Sequence, residues 1–145
     1  MSLLSALSVS ASGLAAQRTR AELLVENMAN SETTRTPEGG PYRRKDAVFS
    51  SAPQGSPFSA AFQKEMGYYS NGVEVSDIYV DQSDPVMRYQ PGHPDADASG
   101  YVAYPKMNPA EDMVDLMAAT RGYDANVSAM TAVKDMIQRS IDLLK

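Results

Sequence analysis

This chain of 145 residues has a net charge of −5 and no cysteine. The acidic balance argues against nucleic acid as a partner, because phosphate binding relies on clustered Lys and Arg. The absence of cysteine excludes disulfides, thiolate zinc sites and a Cys nucleophile. Hydrophobic residues make up 43% of the chain, but no run approaches the roughly 18 apolar residues that a membrane span needs, so we expect no membrane insertion.

The first 30 residues predict a long amphipathic helix. Apolar residues recur there at alternating spacings of three and four, which leaves a narrow apolar seam along one side of a helix. The helix is expected to cover about residues 3–28, weakened slightly by Gly13. Its seam, which only Arg18 interrupts, comprises Leu4, Leu7, Ala11, Leu14, Ala21, Val25 and Met28. At its end, Asn27 and Asn30 are either end-of-helix polar contacts or caps of the helix, and both interpretations stay open.

The opening stretch also shares some features with a secretory signal peptide. Small residues between Ala11 and Gln17 resemble a cleavage site, but no Lys or Arg precedes the apolar part and three serines interrupt it. The apolar seam continues through the supposed cleavage point. We therefore expect that no signal peptide is cleaved, and that any passage out of the cytoplasm follows another route.

Residues 31–107 show no helical period and are rich in Pro, Gly, Ser and Tyr. A short extended piece is expected at 47–49. Residues 50–70 are predicted to form a mobile loop, or at most a helical turn over 58–66. The further strand candidates are 72–80, 86–89 and 101–104. Because a strong turn signal at 81–85 joins the first two of these, the insert is predicted to contain one small β-hairpin.

The C-terminal segment has the clearest helix start in the chain. Asn108 is suited to cap the helix and Pro109 to occupy its first position. The helix is expected to continue to about Leu144, with Gly122 as its one weak point. Its apolar residues again follow spacings of three and four, with breaks at Thr120 and Lys134, and they are Met113, Leu116, Tyr123, Val127, Met130, Ile137, Ile141 and Leu144.

The chain offers few groups from which to build a catalytic or metal site. His93, Asp95 and Asp97 resemble part of a calcium-binding loop, but Lys106 stands at the twelfth position of that loop, where a bidentate Glu is required. A rigid polar turn is the favoured interpretation. The acidic residues in the first two turns of the second helix suit the positive end of its dipole without catalysis. We predict no enzyme, no catalytic residue, no metal and no cofactor.

The expected fold class is mainly α. The terminal helices, residues 1–30 plus 108–145, form a coiled-coil-like hairpin and a helical assembly core, and residues 31–107 form a loop-rich insert with small β structure. A narrow seam needs partner helices, which favours an assembly subunit over an enzyme, and repeated contacts that do not close build a helical tube. The alternative is a membrane-surface amphipathic protein. It requires a Lys/Arg-rich polar face, whereas residues 1–30 carry two basic and two acidic residues.

Several motifs resemble those of the bacterial flagellar rod and hook proteins. In the N-terminal third these are Gly13-Leu14-Ala15-Ala16-Gln17-Arg18, Asn27-Met28-Ala29-Asn30 and Pro41-Tyr42-Arg43-Arg44-Lys45. Further along they are Tyr89-Gln90-Pro91-Gly92-His93-Pro94-Asp95-Ala96-Asp97, Gly100-Tyr101-Val102 and Arg121-Gly122-Tyr123-Asp124-Ala125-Asn126. The segment that contains His93 is the most specific, and it resembles the proximal-rod members. Only about residues 51–69 lie outside the resemblance. Glu22 and Lys106 depart from the family pattern, which more often has Asn at both positions.

The resemblance implies a structural subunit of the proximal rod in the flagellar basal body, within the periplasm-spanning rod. It also implies export through the flagellar type III apparatus without signal cleavage. The implied partners are other rod subunits, copies of the chain itself and the export apparatus, and another subunit of the rod and hook family is the alternative. The expected assembly interface comprises Leu4, Leu7, Leu14, Val25, Asn27, Met28, Asn30, Met113, Leu116, Tyr123, Asn126, Val127, Met130, Ile137, Ile141 and Leu144.

Overall fold

The computed structural model describes residues 3–53 and 71–143. Two long helices account for about half of the described residues, and an insert with β structure lies between them in the chain, so the predicted mainly α class is confirmed. The elements in chain order are α1 Leu3–Ala29, β1 Lys45–Pro53, β2 Asn71–Val80, β3 Val86–Tyr89, β4 Tyr101–Tyr104 and α2 Pro109–Asp142. The predicted turn over 58–66 and the end of the second helix at Leu144 lie outside the described residues, as does most of the predicted loop over 50–70.

The predicted start of α2 is confirmed. Asn108 has an extended backbone, and its side-chain Oδ1 accepts a hydrogen bond from the backbone N–H of Ala110 at 3.2 Å. Pro109 occupies the first turn, where its missing N–H costs nothing because that donor has no partner within the helix. Among the described residues, neither helix combines the length and the apolar character needed to cross a membrane.

The two helices pack side by side and run in opposite directions. Gly13 lies against Asn126, Gln17 lies against Gly122, and further along α1 the guanidinium of Arg20 comes within 3.6 Å of the Asp115 carboxylate. Advancing along α1 therefore means going back along α2. The predicted helical hairpin is present as an antiparallel pair, while a coiled-coil geometry stays a prediction.

The side of α2 that faces α1 is not the predicted seam. The buried residues of α2 are Asp112, Ala119 and Val133, which are seven and fourteen residues apart and therefore lie on one side of the helix. The predicted seam residues lie beside this line and are half-buried at best. Small side chains allow the helix backbones to approach closely, and bulky ones then fall at the edge of the contact. On α1 the buried residues are Ala16, Leu23, Leu24 and Asn27.

β1 and β2 form a long antiparallel pair that lies along α1. Pairing extends from Lys45 opposite Val80 to Pro53 opposite Asn71, and a bulge in β2 shifts the register between Val48 and Phe49. Near one end of the pair, the backbone N–H of Val73 donates to Ser12 Oγ on α1 at 3.0 Å. The first residues of the predicted loop, 50–53, thus belong to β1, which is also longer than the expected piece at 47–49.

The prediction of one hairpin across the turn at 81–85 is wrong. β3 and β4 form a second antiparallel pair, from Val86 opposite Tyr104 to Tyr89 opposite Tyr101, and β2 pairs with β1 instead of β3. β1 offers β2 a much longer ladder of backbone hydrogen bonds than the four residues of β3 can. After β2, the Asp81 carboxylate accepts bonds from the backbone N–H and hydroxyl of Ser83, and this local turn leads the chain away from its neighbouring strand.

Candidate functional site: the assembly surfaces

Several large apolar side chains of α2 are exposed in the single chain. Met113, Val114 and Met117 are all exposed in its first turns, and Val127 and Ile141 are exposed further along. At the end of the described chain, Leu143 is 87% exposed. Exposed apolar residues over the length of one helix are typical of a surface that a partner covers. Methionine, which is flexible, suits contact with neighbours of irregular shape.

The structure distributes the predicted interface residues over three environments. The exposed ones are Leu4, Val25, Met113, Tyr123, Val127 and Ile141. The half-buried ones are Leu7, Leu14, Met28, Asn30, Leu116, Asn126, Met130 and Ile137. Asn27 is buried, and Leu144 lies outside the described residues. The seam thus divides into a line at the edge of the helix pair and a line that faces outward.

Some exposed apolar residues were missed by the sequence reasoning. Val114, Met117, Met136 and Leu143 fall off the spacing of three and four, so the seam template excluded them. The sequence does contain an indication of them, because α2 has more large apolar residues than one narrow seam can hold. A helix with apolar residues on more than one side has more than one partner.

Asn27 belongs to an internal junction and has no surface for a neighbour in this conformation. Its side chain is 0% exposed. Its Oδ1 accepts from the Tyr42 hydroxyl at 2.9 Å and from the Lys45 backbone N–H at 3.0 Å, and its Nδ2 donates to the Lys45 carbonyl at 2.8 Å. The sequence did not separate a polar contact from a cap at this position, and the structure shows a contact within the chain. Asn27 attaches the start of β1 to the end of α1.

Asn30 acts as a cap at the end of α1. Its Nδ2 donates to the carbonyl of Glu26 at 2.9 Å, and its Oδ1 accepts from the Thr33 hydroxyl at 3.1 Å. These bonds close the last turn of α1 and the loop that follows it. The two asparagines of this short motif therefore have different roles, one as a contact to β1 and one as a cap of α1. Their spacing in the sequence does not show which asparagine has which role.

The burial of Tyr42 has an electrostatic consequence. Loss of solvent, followed by the negative charge of Glu26, raises the pKa of Tyr42 to about 12. The hydroxyl therefore keeps its proton at neutral pH and serves as the donor to Asn27. Beside it, the Lys45 ammonium lies 2.6 Å from the Glu26 carboxylate. This ion pair adds a second connection between α1 and β1.

A buried ion pair connects the same region to the start of α2. Asp112 is 1% exposed, and Nη2 of Arg44 approaches its Oδ1 to 2.9 Å. The contact is not aligned as a hydrogen bond, and neither oxygen of Asp112 has such a bond to another described residue. Burial raises the pKa of the Asp112 carboxyl above its usual 3.8, although the charge of Arg44 acts in the opposite direction. From the sequence, Asp112 was explained by the helix dipole alone, and its burial was not predicted.

The loop between β3 and β4 has the bonding of a polar turn. The backbone N–H of Asp95 donates to His93 Nδ1 at 3.1 Å, and the Asp95 carboxylate accepts from the Thr34 hydroxyl at 2.8 Å. Oδ1 of Asp97 accepts from two backbone N–H groups, those of Ser99 and Tyr101. Within residues 3–53 and 71–143, no group of three or more His, Asp or Glu side chains is placed to hold a metal ion.

Comparison with known proteins gives consistent matches. The family model described as the C-terminal part of the flagellar basal-body rod FlgEFG proteins matches residues 98–143. The flagellar basal-body rod protein FlgC of Bacillus subtilis strain 168 is 44% identical, over 96% of this chain and 96% of its own length. The protein of the same name from Borreliella burgdorferi is 37% identical over 100% of this chain and 99% of its own. That of Escherichia coli O6:H1 is 35% identical over 99% and 98%.

Proposed function

Since this chain belongs to the flagellar basal-body rod protein FlgC family, we propose that it assembles into the rod through its two terminal helices. It is a structural subunit of the flagellar basal-body rod and not an enzyme. In this proposal, residues 1–30 and 108–145 are the assembly core, and residues 31–107 are an insert attached to it by the junction at Asn27.

The exposed apolar side of α2 is the observation that carries the proposal. Met113, Val114, Met117 and Val127 are exposed in the single chain, because α1 covers only part of the helix surface. Burying one large apolar side chain contributes about 1.5–3 kcal/mol. Covering several of them therefore supplies the free energy with which association overcomes its loss of translational and rotational freedom.

The C-terminal end of α2 adds a second contact surface. Gly13 faces Asn126 and Gln17 faces Gly122, so equal counting along both helices sets residue 3 opposite about residue 136. The last turns of α2 then continue past the start of α1. Ile141 lies in these turns and is exposed, and we place it against the helices of a neighbouring subunit, in a coiled-coil-like contact.

The partners that we propose are other subunits of the basal-body rod, further copies of this chain, and the flagellar type III export apparatus. Contacts between unlike surfaces that repeat without closing build a helical tube, which suits a rod in its proximal part. We also propose that export leaves the N-terminal region intact. Support comes from Gly13 and Gln17, which lie in the stretch that resembles a cleavage site and contact α2.

The test is the substitution Ile141→Asp. A carboxylate buried without a partner costs several kcal/mol, so the variant is expected to be exported at normal levels but to fail to assemble. Ala98→Asp is the control, since it adds the same charge at an exposed position of the turn between β3 and β4, outside the proposed assembly core. Secreted protein and isolated basal bodies are measured side by side. Normal rods that contain the Ile141→Asp chain would refute assembly through this end of α2.

A further inference from the structure

Two glycines lie in the interior of the helices, where glycine is less favourable than alanine. Each lies against a side-chain amide of the facing helix. A Cβ on Gly13 would lie 3.0 Å from Oδ1 and 3.2 Å from Cγ of Asn126. A Cβ on Gly122 would lie 3.2 Å from Cδ and 3.3 Å from Nε2 of Gln17. The absence of a side chain at each glycine provides the space that an amide occupies.

The two contacts are reciprocal. Gly13 precedes Gln17 by four residues on α1, and Gly122 precedes Asn126 by four on α2. Because the helices are antiparallel, each glycine meets the amide of the other helix. A slide of one helical turn in one direction would bring Gln17 against Asn126. A slide in the other direction would bring the glycines together and leave space between the backbones. Only the observed alignment fills both positions.

The Asn126 amide is held by a hydrogen bond, whereas the Gln17 amide is confined by the packing around it. Nδ2 of Asn126 donates to the carbonyl of Gly122 within its own helix at 2.9 Å. Oε1 of Gln17 is buried and makes no hydrogen bond to the described residues. A buried polar atom without a partner is unfavourable, so its position indicates that packing against Gly122 determines where this side chain lies.

We propose that Gly13, Gln17, Gly122 and Asn126 are positioning residues that determine the register of α1 on α2. Register in turn determines how many residues of α2 continue past the start of α1. The consequence for the rod rests on the proposed assembly function, whereas the register itself is a property of the single chain.

Compensating substitutions test the interlock in cells. Gly13→Ala and Gly122→Ala should each reduce the yield of basal bodies by about fivefold or more, because each added methyl displaces an amide. Alanine is the better helix former, so helix propensity does not explain such a loss. Adding Asn126→Ala to Gly13→Ala, or Gln17→Ala to Gly122→Ala, should restore the yield to within about twofold.

Crossed pairs are the matched controls for this rescue. Gly13→Ala with Gln17→Ala, and Gly122→Ala with Asn126→Ala, each keep one added methyl against an intact amide, so their yields should stay low. Gly92→Ala is a further control, because a Cβ there meets nothing within 4 Å. Wild-type yields from both glycine variants, or equal rescue by crossed and matched pairs, would overturn the proposal.

Disulfide formation between introduced cysteines measures the register of α1 on α2 directly. The chain has no cysteine of its own that could interfere. Gly13→Cys with Asn126→Cys should form a disulfide rapidly on oxidation, because the two side chains are within bonding reach. Adding Gly122→Ala should lower its yield, and adding Gln17→Ala as well should restore it. The off-register pair, Gly13→Cys with Val133→Cys, should form no disulfide, whether or not Gly122→Ala is present. An unchanged 13–126 disulfide in the Gly122→Ala chain would refute the register role.

The register and the assembly proposals fail in different ways. Adding Ile141→Asp to the cysteine pair at 13 and 126 should abolish rods and leave this disulfide unchanged. Rods that form with Ile141→Asp would refute assembly through that end of α2 and leave the interlock intact. A disulfide that Gly122→Ala does not change would refute the interlock alone.

Discussion

Replacing Asn27 with alanine is expected to detach the insert from the end of α1. The substitution leaves three groups without their partner, which are the Tyr42 hydroxyl and the backbone N–H and carbonyl of Lys45. Each buried polar group without a hydrogen bond costs about 1–3 kcal/mol. Because Lys45 is only partly buried and water reaches part of the gap, the expected loss in unfolding free energy is about 2–4 kcal/mol. Domains of ordinary size have about 5–15 kcal/mol in total.

Two measurements on the purified subunit check this value. Denaturant unfolding followed by circular dichroism should show a lower midpoint with an unchanged slope. Hydrogen exchange at the Lys45 amide should accelerate roughly 30- to 1,000-fold, since about 1.4 kcal/mol corresponds to a factor of ten. The exchange measurement is the more specific, because this N–H donates directly to Asn27 Oδ1.

Two further variants serve as controls for the effect of Asn27→Ala. Tyr42→Phe removes one hydroxyl but leaves both bonds between Asn27 and Lys45, so it should cost about 0.5–1.5 kcal/mol. Asn30→Ala removes an amide from the same motif whose bonds are local to the end of α1, and the Lys45 amide should exchange as in the wild type. If Asn27→Ala changes the unfolding free energy by less than about 0.5 kcal/mol, the junction does not anchor the insert.

Burial raises the pKa of Asp112, so the protonated carboxyl favours the folded state, and this contribution is lost as pH rises from the usual 3.8 through the raised value. Asp112→Asn stays neutral, so its unfolding free energy relative to the wild type should increase between about pH 3 and pH 7, and parallel curves would contradict this. His93→Ala removes the acceptor for the Asp95 amide and a ring contact with Tyr104, both local to the turn, so basal-body counts by electron microscopy should stay within about twofold of the wild type. A loss of rods that added divalent metal reverses would assign His93 a ligand role.

The candidate surfaces were predictable only in part. The apolar period identified outward-facing residues such as Val127 and Ile141, because these lie on the same helix stripes as the half-buried ones. The expected interface also included Asn27, which lies off this period and belongs to the Asn27–Asn30 motif, since sequence alone does not separate a helix cap from an internal contact. The burial of Asp112 beside Arg44 could not be predicted from the spacing of residues in the sequence.

The sequence by itself determined where the helices and the short strands lie. Asn108 and Pro109 define the start of α2 through bonds and torsion angles within one turn, and β3 and β4 have the bounds predicted from local alternation. Such features depend on residues that are near in the chain. The pairing of β1 with β2, and the side of α2 that faces α1, were decided by tertiary structure. They depend on contacts such as that of Gly13 with Asn126, whose free energy arises only when distant segments pack together.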